Sequence, residues 1–67
     1  MSRSTEPAYI EDVVAVRETE LALLVVVNGE ETWIPKSQIK DESEVNEPGD
    51  SGTLVIPEWL ADDKGIS

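Results

Sequence analysis

Leu21-Ala22-Leu23-Leu24-Val25-Val26-Val27 runs without a polar residue straight into Asn28-Gly29. Four of its residues are leucine or alanine, but the valines at its end favour a pleated strand. A run of this length is also short for a buried helix. Asn-Gly tolerates the two positive φ angles of a tight type I′ turn. The chain must therefore reverse at once, and Glu30 to Ile34 returns as the partner strand. With no polar alternation in the run, both of its faces are expected to be covered. This hairpin sets what the rest of the chain can build.

Other segments are read against it. Ala8 to Arg17, AYIEDVVAVR, is a second β-branched stretch and is expected to form a strand. Pro35 has no N–H for a ladder and ends the returning strand. Lys36-Ser37-Gln38-Ile39 is expected to make one turn, with Ile39 falling back onto the core. Lys40 to Gly52, KDESEVNEPGDSG, reads as a loop with a Pro48-Gly49 turn, and its length marks it as functional or mobile. Thr53 to Ile56 predicts a short strand. Pro57 suits the first position of a helix through Lys64, and Gly65 suits its stop. Trp59 and Leu60 are expected to face the core. The expectation is a mainly β fold: a small antiparallel SH3-like or OB-like partly open barrel of 4–5 strands with a short C-terminal helix. Residues 1–7 are expected to form a flexible arm and 8–65 a single domain, with the last residues frayed.

Function is narrowed first by exclusion. The 67 residues contain no cysteine and no histidine, so thiolate chemistry and the usual near-neutral proton shuttle are both missing. No carboxylate pair stands out by spacing, and Lys36 beside Ser37 points away from it in an extended chain. The chain is expected not to be an enzyme and to use no cofactor. An EF-hand register starting at Asp41 fails, because Val45 takes the fifth position and Asn46 the sixth. No run approaches the roughly 20 apolar residues of a membrane span, and no signal peptide is evident, so a cytoplasmic location is expected. With 15 acidic and 5 basic residues the formal charge is −10, which disfavours direct binding to nucleic acid or anionic membrane.

Charge placement suggests a partner. Between Lys40 and Lys64 lie Asp41, Glu42, Glu44, Glu47, Asp50, Glu58, Asp62 and Asp63, with no basic residue among them. Asp62 and Asp63 fall near the end of the expected helix, where the macrodipole disfavours anions. Such a face is expected to bind a protein with a basic surface, each carboxylate standing in for a phosphate. The same composition would serve solubility or a saline cytoplasm. An alternative contact is an apolar patch of Trp33, Pro35 and Trp59 acting as an adaptor surface. A sheet edge pairing with its own copy, giving a homodimer, is a third.

The stretch from Leu23 through Trp33-Ile34-Pro35-Lys36-Ser37-Gln38-Ile39 to Glu58-Trp59-Leu60-Ala61 resembles small acidic proteins of bacteriophages and other mobile elements. The resemblance covers about the last two thirds of the chain and brings no activity or functional residue with it. In size and charge the chain is similar to anti-CRISPR-type inhibitors, many of which mimic DNA. That resemblance implies an acidic inhibitor of a host nucleic-acid-binding protein.

Overall fold

A computed structural model describes residues 6–66. In chain order it comprises β1 (Pro7–Glu18), β2 (Ala22–Val27), β3 (Glu30–Pro35), a 3-10 turn (Lys36–Gln38), β4 (Ser51–Pro57) and α1 (Glu58–Lys64). The four strands form one antiparallel sheet in the order β3-β2-β1-β4. The fold is mainly β with a short C-terminal helix, as expected. The sheet is open, with four strands rather than a closed barrel.

The hairpin forms as its turn dictates. Asn28 and Gly29 both take positive φ, 53° and 81°, and Val27 pairs with Glu30 on either side of them. Leu23, Val25 and Val27 point into the core, opposite Ile34 and Thr32.

β1 is 12 residues long and carries two irregularities. Its register with β4 shifts between Ile10 and Val13, where Asp12 takes φ 60°. Its register with β2 shifts between Ala15 and Arg17. Each extra residue bends the strand and resets which side chains face inward. Ile10, Val13 and Ala15 are therefore all buried despite their uneven spacing. The bends let one strand serve two neighbours, β4 along Pro7–Val14 and β2 along Val14–Glu18.

The core lies on one face of the sheet. Ile10, Val13, Leu23, Val25, Ile34, Leu54 and Ile56 pack there with Leu60 and Ala61 of α1 and with Val45 from the acidic loop. Trp59 and Ile39 pack against this cluster, so Leu60 and Trp59 face the core as expected. β4 is longer than the four residues expected, and Pro57 closes it rather than opening the helix. The helix ends at Gly65 in the left-handed conformation, φ 71°. Gly65 N–H donates to Asp62 O and Ile66 N–H to Ala61 O, a Schellman closure. Ile66 packs on the core, so the fraying expected at residue 65 stops short of both residues. Most of the expected N-terminal arm, residues 1–5, lies outside the described residues. Its last member, Pro7, pairs with Pro57 in the sheet rather than hanging free. No helix among the described residues is long and apolar enough to cross a membrane.

Candidate functional site

The acidic loop is a built strap along the outer edge of β4. Lys40 N–H donates to Val55 O and Glu44 N–H to Thr53 O, each at 2.9 Å. Val55 N–H donates to Ser43 Oγ at 3.2 Å, and Thr53 N–H to Glu44 Oε1 at 2.9 Å. Ser43 is buried; its hydroxyl also accepts from Val45 N–H and donates to Val45 O. Val45, fully buried, pins the strap to the core. Asp50 Oδ2 accepts from the N–H groups of Asn46 and Glu47, which closes the Pro48-Gly49 turn.

Two of the loop carboxylates expected at a partner surface, Glu44 and Asp50, are thus committed to backbone hydrogen bonds. Glu42 accepts a long bond from the Tyr9 hydroxyl at 3.4 Å. Asp41, Glu42 and Glu47 are exposed, as are Glu58, Asp62 and Asp63 on α1. These acids stand in two groups about β4, one on the strap along its edge and one on the helix that follows it. Among the described residues, no group of three or more acidic side chains gathers where it could hold a metal ion.

The apolar alternative divides. Trp59 sits on α1 and packs against the inner core. Trp33 and Pro35 lie on β3, where Trp33 shares the opposite face of the sheet with Leu24, its cross-strand partner. Trp33, Pro35 and Trp59 therefore do not form one patch.

A different surface takes its place. On the outer face Leu24 lies between Trp33 and Arg17, and Val26 lies between Glu31 and Val14. Val16, the extra residue of the β1 irregularity, is exposed beside them. Trp33 is 42% exposed, Val14 42% and Val16 41%. Leu24 is nearly covered at 7%, though it lies outside the core cluster. Val26, the next outward residue of β2, is only half-buried, so the expected covering of both faces of β2 is incomplete. Val14 and Val16 escape a sequence reading because the bulge after Ala15 decides which β1 valines turn outward. On the other side of the molecule an open groove is lined by Ala8, Ile10, Val27, Glu11, Glu58 and Ile66, and its chemistry is apolar and acidic.

The two sheet edges differ as well. Counting from the two-residue turn, the N–H and C=O groups of Thr32 and Ile34 point to β2, and those of Glu31 and Trp33 point away from it. Among the described residues no segment bonds to those outward groups. Pro35 ends the edge with no donor. Lys36, just past the end of β3, is turned toward β1, its Nζ 2.6 Å from Glu18 Oε1.

Set against protein-family models, curated proteins and solved structures, the chain matches none.

Proposed function

We propose that this chain is a non-catalytic protein-binding module. Its contact centre is the outer sheet face around Trp33, and its acidic surface draws it to a partner with a basic surface. The observation that carries the reading is the exposure of Trp33, Val14 and Val16 together on one sheet face. Aromatic anchors with apolar neighbours and a charged surround are the usual anatomy of a contact surface. The −10 charge then speeds encounter with a basic partner and rejects acidic ones. β4, reached from β3 through the 3-10 turn and the strap, returns beside β1, which supports reading the sheet as an SH3-like one left open.

A second reading is the phosphate-decoy inhibitor of a host nucleic-acid-binding protein, of phage type. The exposure of Asp41, Glu42 and Glu47 on the strap and of Glu58, Asp62 and Asp63 on α1 favours it.

Affinity capture with the wild type and two variants separates the readings. Trp33→Ser is expected to lose the partner, while neutralising Asp41, Glu42 and Glu47 together lets it elute at lower salt. A partner retained in full by Trp33→Ser and lost on neutralisation would replace the module with the decoy.

A further inference from the structure

We propose that β3 is a docking edge, and that an extended segment of the basic partner adds to it as a fifth strand. The proposal rests on the outer face being the contact surface, and names how the partner engages it. Its ground is the contrast between the two edges. On β4, the N–H and C=O groups of Thr53 and Val55 are all occupied by the strap. On β3, the equivalent groups of Glu31 and Trp33 have no partner among the described residues. A row of unpaired strand groups is a template for another chain. Pro35 limits the seam to Glu31 and Trp33, which together offer two donors and two acceptors.

The side chains at the seam state the chemistry of the occupant. Glu31 and Trp33 lie on the outer face, two residues apart. An added strand places alternate side chains opposite them. A cationic residue suits the place opposite Glu31. An arginine or an apolar residue suits the indole of Trp33. Glu30 adds a further negative charge at the start of the edge, and Lys36, held by Glu18, does not oppose it. The occupant is therefore an extended basic segment with alternating side chains.

A second copy of the chain fits less well. Self-pairing through Glu31 and Trp33 would place two Glu30 and two Glu31 carboxylates along one seam. It would also join two molecules of formal charge −10. Antiparallel pairing of these two residues sets each Glu31 opposite the other copy's Trp33 with no cation to meet it, while the net charges of the two molecules repel. The edge is thus guarded against its own copy by charge, and the same charge admits a basic strand.

The test titrates the full-length, nitrogen-15-labelled chain with a short peptide of alternating arginine and valine. Its control is the same peptide N-methylated at every arginine, which keeps the charge and removes the ladder donors. The amide signals of Glu31 and Trp33 are expected to move most, and their hydrogen exchange to slow at least tenfold. The N-methylated peptide should bind at least tenfold more weakly. Glu31→Pro removes one outward donor and the carboxylate without touching the β2–β3 ladder, and should weaken the peptide tenfold more than Glu31→Gln, which removes the charge alone, at unchanged melting temperature. Should that variant not fold, Glu31→Lys reverses the charge at the same place and should weaken the peptide likewise. Equal binding of both peptides, or shifts confined to the strap, would overturn strand addition. Capture of the partner that survives Glu31→Pro but not Trp33→Ser would overturn it too, and leave the outer-face module standing. A concentration-dependent dimer that protects Glu31 and Trp33 without peptide would put a second copy on the edge, and the proposal would fall.

Discussion

The two edges of this sheet meet the same demand in opposite ways. β4 is sealed by a strap made almost wholly of polar residues, while β3, which carries the large apolar Trp33, meets no further segment among the described residues. The seal is costly in chain length: the strap uses the segment between Ile39 and Ser51, and its hold depends on one buried hydroxyl and one buried valine. A small domain with a thin core could be expected to spend such a segment on enlarging the core. Here it is spent on occupying the outward groups of one edge. Edge protection is selective here, and the unsealed edge adjoins the exposed apolar face.

Hydrogen exchange should show the contrast most strongly. The amides of Thr53 and Val55 are expected to exchange only through larger openings, and those of Glu31 and Trp33 at nearly free rates. Even at the low end of domain stability, about 5 kcal/mol, the ratio should approach a thousandfold or more. Comparable protection at both edges in the monomer would end the comparison.

Next in size is Ser43→Ala. It leaves the N–H groups of Val55 and Val45 and the carbonyl of Val45 without the hydroxyl. Buried groups left unpaired cost about 1–3 kcal/mol each, and some water entry will relieve part of that. A loss of about 3 kcal/mol is expected, read as a fall in denaturant midpoint. A loss below about 1 kcal/mol would mean that the strap holds without Ser43.

Gly52→Ala probes the same seal from the strand side. Gly52 takes φ 135°, and an added Cβ would come 2.6 Å from Glu44 Oε1. The Glu44 side chain can move, but moving it breaks its bond to Thr53 N–H. Backbone strain of this kind costs about 1–3 kcal/mol, so a loss of about 2 kcal/mol is expected in thermal unfolding.

What was legible in the sequence follows how local its cause is. The hairpin was readable because Asn28-Gly29 fixes a turn by its own φ preferences. The helix stop at Gly65 was readable for the same reason. The strap was not. Val45 and Ser43 are single residues in a run of acids, and their burial depends on β4 lying alongside. Glu44 and Asp50 look like any other surface carboxylates until their backbone partners are in place. Alternation put Trp33 and Ile34 on opposite faces of β3, but not which of them faced inward. That was settled by the side on which α1 and Val45 cover the sheet, and it split Trp33 from Trp59. The two irregularities of β1 left no mark in composition, so the exposure of Val14 and Val16 could not be anticipated.

The smallest expected effect sharpens the comparison at the far end of β3. Lys36 Nζ and Glu18 Oε1 are 2.6 Å apart, with side chains 33% and 44% exposed. An exposed pair of this kind contributes about 0–1 kcal/mol. In a chain with formal charge −10 the two halves of the pair are not equivalent. Glu18→Gln loses the attraction but lowers the charge to −9, whereas Lys36→Gln loses the same attraction and raises it to −11. Self-repulsion of the compact state therefore offsets the first change and adds to the second. Glu18→Gln should be nearly neutral and Lys36→Gln destabilising by about 0.5–1 kcal/mol. The gap between them should narrow as added salt screens the repulsion. If the two variants lost equal stability at low salt, the pair would act as a local brace for the end of β3, and general repulsion would have no part in setting its value.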